Sequence, residues 1–215
     1  MKKMVLINII TIVALVIIGV VGFYFYNNAT SYVTTDNAKV DGNQIKIASP
    51  ASGQIKSFDA KQGDQLKKGD TVAEVTAQSQ DGQTQDQKIK MPQDGTIAKT
   101  DGMEGSIAQA GSPIAYAYNL DDLYITANID ENDLSSIEKG DKVDVTIDGQ
   151  DSKIDGKIKE IGKATANSFS LMPSSNSDGN YTKVSQVIPV KISLDSQPSK
   201  NVVPGMNAEV KIHKD

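Results

Sequence analysis

The sequence predicts a mainly β protein with a single membrane-spanning helix at its N-terminus, and three observations predict it. Residues Met4 to Tyr26 form an apolar run broken only by Asn8 and Thr11. Beyond residue 30 nearly every segment alternates apolar and polar residues with a period of two. Third, the chain repeats itself at an offset of 42 residues: Pro50, Gly53, Ile55, Gly63, Gly69 and Val72 recur as Pro92, Gly95, Ile97, Gly105, Gly111 and Ile114. Matched glycines are hard to obtain by accident, because each marks a backbone position needing φ > 0 or a close approach.

As a helix, the N-terminal run would measure about 35 Å at about 1.5 Å per residue, enough to cross a bilayer core of about 30 Å with modest tilt. Lys2 and Lys3 precede it and no lysine follows until Lys39. The positive-inside bias therefore puts residues 1–3 in the cytoplasm and residues 27–215 outside. Phe23, Tyr24, Phe25 and Tyr26 stand where an interfacial aromatic belt belongs. A cleaved signal would need a shorter core and a small-x-small cleavage site, and that place is taken by the aromatics.

Composition narrows the function classes. The formal charge of −5 becomes −7 for residues 27–215 once Lys2 and Lys3 are set aside, which disfavours nucleic acid or an anionic lipid surface as the main partner. The chain has no Cys, so disulfides, thiolate metal sites and thiol nucleophiles are excluded together. All its basic side chains except His213 are lysines.

Each copy of the repeat contains an apolar strand (Ile45-Lys-Ile47, then Ile89-Lys-Met91), a Pro-x-x-Gly turn, a second strand and a glycine-punctuated return. The structural turn residues are Gly53, Gly63 and Gly69, matched by Gly95, Gly105 and Gly111. Alternation continues in Leu123–Ile129, Val143–Ile147, Val190–Leu194 and Ala208–Ile212, so residues 120–165 and 181–213 form a set of about six strands, most simply a small closed barrel. Asp41-Gly42, Asp148-Gly149, Asp155-Gly156 and Pro204-Gly205 read as turns between strands. A short helix is expected at Glu131 to Glu138, capped by Asp130, with Leu134 and Ile137 on its apolar side and Gly140 past its end. Residues 164–180, rich in Ser, Asn and Gly, read as a mobile loop.

No catalytic or cofactor motif is present. No Gly-x-Ser-x-Gly elbow, phosphate loop or dinucleotide fingerprint occurs, and most aspartates precede glycine or flank strands as turn formers. A lysine bearing lipoate or biotin would have to stand in the turn between the two half-repeats, and Ala77 to Gln87 contains none. Asp130, Glu131 and Asp133 lack calcium-loop spacing, and His213, the only histidine, has no partner set for zinc. The sequence thus predicts no enzyme, no cofactor and no metal. Phe169, Leu171 and Met172 form an apolar cluster in a polar loop; they either tuck into the core or contact a partner.

The chain resembles the membrane fusion proteins, or periplasmic adaptor subunits, of the hemolysin-secretion type, in the EmrA-like branch. The matching residues are Thr35-Asp36-Asn37-Ala38-Lys39-Val40, then Ile47-x-x-Pro50-x-x-Gly53-x-Ile55 with Gly63-Asp64-x-Leu66-Lys67-Lys68-Gly69-Asp70. Further matches are Ile129–Asp133, Ser168–Pro173 and Val203-Pro204-Gly205-Met206. The resemblance implies a lipoyl-like, barrel-sandwich β module over residues 43–118 and a membrane-proximal β-barrel domain over 27–42 and 119–215, after the 4–26 anchor. It also implies an adaptor in the cytoplasmic membrane that forms homo-oligomers and serves an exporter of drugs or other small compounds. That exporter is of the major-facilitator type; an ABC exporter of peptides or toxins, or an envelope binding module without a transporter, are the alternatives. In Gram-negative members a long α-helical hairpin separates the two half-modules, whereas here only Thr76 to Gln87 does. A dozen residues make a turn, not two useful helices. Contact with an outer-membrane channel is therefore not expected, and a single-membrane, Gram-positive envelope is.

Overall fold

The computed structural model describes residues 2–78, 83–150, 152–169, 186–199 and 201–214; the side chains of 2–9, 25–30 and 169 lie outside that description. The chain begins with helix α1 (Lys2–Ser31). Among the described residues no helix is long and apolar enough to cross a membrane. Twelve strands follow: β1 (Tyr32–Ala48), β2 (Gly53–Phe58), β3 (Gln65–Leu66), β4 (Thr71–Gln78), β5 (Thr84–Lys90), β6 (Gly95–Thr100), β7 (Ile107–Ala108), β8 (Pro113–Asp130), β9 (Lys142–Ile147), β10 (Lys153–Ile161), β11 (Val187–Leu194) and β12 (Asn207–His213). They divide between two compact units.

The first unit comprises Met1–Lys39, Ile125–Ser199 and Met206–Asp215. Its strands join in the order β1-β12-β9-β10-β11-β8, and β8 pairs back to β1, so six strands close a barrel. Alternation dictates the interior: Val143, Val145 and Ile147 face inward on β9 and stand opposite Ile212, Val210 and Ala208 of β12. On the other side Val145 opposes Ile154 of β10, so one apolar row runs across three strands. Closure removes the sheet edges that would otherwise invite pairing with other chains.

The second unit comprises Val40–Tyr124 and Lys200–Gly205, and the repeat is its organising principle. Strands β2, β3 and the start of β4 recur 42 residues later as β6, β7 and the start of β8. Registers recur with them: Gly53↔Ala108 and Gln54↔Ile107 match Gly95↔Leu66 and Thr96↔Gln65. Each half places a β-bulge at the same point, between Ile55 and Ser57 and between Ile97 and Lys99. The halves also exchange hydrogen bonds reciprocally, as Gly63 N–H to Ile97 O and Gly105 N–H to Ile55 O at 2.8 Å each, and Gly69 N–H to Met91 O and Gly111 N–H to Ser49 O at 2.9 and 2.8 Å. These equivalences define a pseudo-two-fold. The core obeys it, with Ile47 and Ile89, Ile55 and Ile97, and Val72 and Ile114 buried as pairs.

Four expectations change. Asp41-Gly42 and Asp155-Gly156 are not turns: the first lies inside β1 and the second inside β10. Glycine is used there for close approach, since a Cβ on Gly156 would stand 2.5 Å from Ser193 O and one on Gly42 would stand 3.0 Å from Leu123 Cδ2. The expected helix at 131–138 is only a 3-10 turn, Leu134–Ser136, after Asp133. Asp130 caps no helix; its Oδ1 accepts from Asn132 N at 2.9 Å and Asn132 Nδ2 at 2.6 Å, a local turn that competes with helix nucleation. Finally, the segment between the half-modules is a β-hairpin whose ladder runs from Thr71↔Lys90 out to Gln78↔Thr84, so strand continues through residues expected to be turn.

Candidate functional site

The barrel-sandwich unit carries the residues the sequence singled out, held by two kinds of glycine. Gly63, Gly69, Gly105 and Gly111 have φ of +93°, +94°, +83° and +80°, which L side chains adopt only with strain. Gly53 and Gly95 begin strands and are set by proximity: a Cβ on Gly53 would lie 2.2 Å from Thr76 O, and one on Gly95 2.8 Å from Ile45 Cδ1. The turns are braced by side chains, with Asp64 Oδ2 accepting from Lys61 N at 2.7 Å and Asp70 Oδ2 from Lys67 N at 2.8 Å.

Where the backbone repeats, the surface does not. In the first half Lys56 lies over the hairpin sheet, with Nζ 2.5 Å from Asp86 Oδ2 and 3.6 Å from Glu74. Thr76 Oγ1 donates to Asp86 Oδ1 at 2.6 Å. The hydrogen bond to Asp86 raises the Lys56 pKa, and the same bond, aided by Thr76, holds the Asp86 carboxyl below the ordinary carboxylate value. The equivalents of Lys56, Glu74, Thr76 and Asp86 are Ala98, Tyr116, Tyr118 and Gln44. There Gln44 Nε2 donates to the Tyr118 hydroxyl at 3.0 Å, a neutral copy of the Thr76–Asp86 bond.

With alanine in place of lysine, a cavity of about 330 Å³ opens, walled by Ile97, Ala98, Tyr118, Leu120, Val203 and Pro204 and floored by Gln62 and Gly63. The opposite turn carries Met103 and Ile107, exposed by 68% and 80%, where the first half has Lys61 and Gln65. Sequence reasoning missed both features. The signal was available in the 42-residue offset, read for where the copies differ rather than where they agree.

Phe169 closes a 3-10 turn, Ala166–Phe169; its side chain, and all of Leu171 and Met172, lie outside the described residues. His213 Nε2 is 2.9 Å from Asp144 Oδ1, and its ring meets Tyr32 edge-on at 5.0 Å between centroids, a cross-strand brace in the barrel. Among the described residues no group of three or more acidic or histidine side chains is placed to hold a metal. Lys88, which follows the tip, lies in the β5 ladder opposite Glu74.

The described β structure is a barrel-sandwich module with reciprocal glycine turns and a six-stranded barrel. Residues 43–119 match the YhbJ barrel-sandwich hybrid domain family, and residues 122–213 match the AAEA-like beta-barrel domain family. The Putative efflux system component YhbJ of Bacillus subtilis (strain 168) is 47% identical over 211 residues, covering 98% of this chain and 92% of that one. The chain therefore belongs to the membrane fusion proteins, or periplasmic adaptors. The Multidrug export protein EmrA of Haemophilus influenzae is 35% identical over 112 residues, 51% of this chain and 29% of its own length, so this chain spans less than a third of that relative. Among solved structures, ZneB from Cupriavidus metallidurans is similar in fold, with a TM-score of 0.65 at 14% identity over 86% of this chain and 99% of that one. The membrane fusion protein Spr0693 from Streptococcus pneumoniae R6 has a TM-score of 0.56 at 12% identity over the same shares.

Proposed function

We propose that this protein is the adaptor subunit of an efflux transporter, anchored in the cytoplasmic membrane by Met4–Tyr26 with residues 27–215 outside. The observation that carries the proposal is the near-full-length relationship to an efflux system component. The anchor is supported by the sequence run, which extends on both sides of Ile10–Tyr24, and by its uncovered surface: large apolar side chains from Ile10 to Tyr24 stand 48–71% exposed. No part of a water-soluble protein leaves such a surface bare without a partner, and a bilayer is the partner that fits a helix apolar on every side. The pump is of the major-facilitator type, following the EmrA-like resemblance, and its cargo is drugs or other small compounds. Copies of the adaptor assemble around the exit path. The short β4–β5 hairpin supports action without an outer-membrane channel.

Deleting the protein should raise sensitivity to, or retention of, an exported compound, and a version lacking residues 1–26 should restore export poorly. Truncation removes the high effective concentration that the anchor provides. Crosslinking from Thr34 or Thr35 should trap a major-facilitator transporter. Trapping an ABC subunit would keep the adaptor role and overturn the choice of pump, whereas unchanged export with only cell-wall material trapped would overturn the adaptor role. The chain lacks Cys, so Lys139→Cys gives a unique label: modification on intact cells, with the full N-terminus intact by mass, is expected, and a protected or shortened chain would overturn the topology.

A further inference from the structure

We infer that the cavity beside Tyr118 is a binding site for a hydrophobic organic cation, an aryl- or alkyl-substituted ammonium or phosphonium ion held by a single chain. The inference stands apart from the adaptor reading, since it needs neither a pump nor export.

The cavity is built into the module. Its volume of about 330 Å³ falls within the range of small-molecule sites, about 300–1,000 Å³. Tyr118 and Pro204 close on β1 at Gly42, where a Cβ would stand 3.3 Å from Tyr118 Cδ1 and 3.6 Å from Pro204 Cγ. Gly205 N–H donates to Val40 O at 2.9 Å and so pins Val203 and Pro204 to the module. Gly63 N–H donates to Ile97 O at 2.8 Å and fixes the floor against the β6 wall. The bond from Gln44 holds the Tyr118 ring in place. Val203, which lines the cavity, is 48% exposed, bare apolar surface that a ligand would cover.

Shape admits an apolar body, and charge selects its sign. Thr96 and Leu120 also line an adjoining depression of about 250 Å³, where Asp94 and Asp121 stand against Lys67. Asp94 accepts from Lys68 N at 2.7 Å, whereas Asp121 makes no ion pair among the described residues. Lys61, beside the floor, is offset by Asp64. Tyr124 reports the same negative field: burial raises its pKa, and the carboxylates of Asp41 and Asp122 raise it further. The pseudo-two-fold sharpens the point. In the first half the equivalent face holds a cation of its own, the Lys56 ammonium, against Asp86 and Glu74. In the second half Ala98 leaves that place open, and Tyr116 and Tyr118 present rings. Lys99 Nζ already stands 5.9 Å from the Tyr116 centroid, while Tyr118 has no cation over it among the described residues. An aromatic wall with carboxylates around it attracts a hydrophobic cation and repels an anion of the same shape.

The test uses tetraphenylphosphonium and tetraphenylborate, ions of like shape and opposite charge. Full-length chain in lipid nanodiscs is dialysed to equilibrium against each, and empty nanodiscs of the same lipid give the partition into the bilayer to be subtracted. Tetraphenylphosphonium should bind on the order of tenfold or more tighter than tetraphenylborate. Ala98→Lys, which restores the residue of the first half, should weaken that binding on the order of tenfold or more, and Asp121→Asn should weaken it about threefold. Tyr118→Leu should weaken it more than Tyr118→Phe, which keeps the ring. Since the chain has no Cys, Ala98→Cys supplies a second readout: tetraphenylphosphonium should slow its alkylation by a maleimide. Equal binding of the two ions, no binding above empty nanodiscs, binding unmoved by Ala98→Lys, or alkylation unmoved by the cation would each overturn the inference. The adaptor reading would stand in every such case, because it is tested by export and crosslinking.

Discussion

The two halves of the barrel-sandwich unit share strands, bulges, turn glycines and reciprocal hydrogen bonds, yet one is charged on its surface and the other is apolar and hollowed. Lys56, Lys61 and Gln65 in the first correspond to Ala98, Met103 and Ile107 in the second. The core pairs, such as Ile55 with Ile97, stayed alike because each is packed against both halves, and a volume change there is felt at once. Surface positions carry no such constraint. The difference teaches where to look for function in an internally repeated module: at equivalent positions whose backbones agree and whose side chains do not.

The largest test of that equivalence is steric. Gly53→Val drives a Cβ to 2.2 Å from Thr76 O, a backbone atom that cannot move without breaking the β2–β4 ladder. It should cost about 3 kcal/mol or more in chemical denaturation. Gly95→Val meets the rotatable Ile45 Cδ1 methyl at 2.8 Å and the equivalent backbone oxygen, Tyr118 O, at 3.0 Å, a looser fit that should cost about 1–2 kcal/mol. Equal losses would break the claim that the two close approaches differ in tightness.

A middle-sized effect concerns the turns. At Gly63 and Gly105 a Cβ would meet nothing within 4 Å, so alanine there feels only the cost of positive φ. Each substitution should destabilise by about 1 kcal/mol, and the two should match. A marked inequality would show that the turns are equivalent in shape but not in energy.

The smallest effect is a pH dependence confined to one half. The Asp86 pKa is depressed below 3.8, chiefly by the hydrogen bond from Lys56, so the stabilisation is present above 3.8 and is lost as pH falls through the lower folded value. The Lys56 pKa is raised above 10.5, so its share is complete below 10.5 and is lost as pH rises through the higher folded value. Exchange protection of the β4 and β5 amides, relative to the intrinsic rate at each pH, should therefore fall on acidification below 3.8, and Lys56→Met should shrink that change to the part Thr76 supplies. The Gln44–Tyr118 bond of the other half has no carboxylate and should show no matching response. Because Lys56 is exposed, solvent screening keeps this effect small.

Much of this architecture was legible in the residues. The 42-residue offset gave the module, and period-two alternation in Val143–Ile147 and Ala208–Ile212 gave barrel strands. What failed did so for identifiable reasons. Asp-Gly was read as a turn at 41–42 and 155–156, but glycine in a strand also answers to a neighbouring backbone, and that neighbour, Ser193 for Gly156, is remote in sequence. Eight residues at 131–138 had a helical pattern, yet a helix that short depends on packing, and Asp130 closed a local turn instead. The cavity was invisible because Val203 and Pro204 come to it from about eighty residues beyond Tyr118.

The register of the barrel has a consequence for how the chain is made. Tyr32 pairs with His213, so the first strand to leave the ribosome waits for the last. The module between them can complete its ladders long before, from contacts closed by residue 118. Until β12 arrives, β1 and β9 both lack the strand that lies between them, and non-local pairings of this kind form slowly. A chain truncated before Asn207 would keep a folded module but present two bare strand edges, the form most prone to aggregate or be captured by chaperones. The vulnerable interval in this protein's life is therefore the one before β12 is made, and quality control that inspects that strand inspects the barrel as a whole.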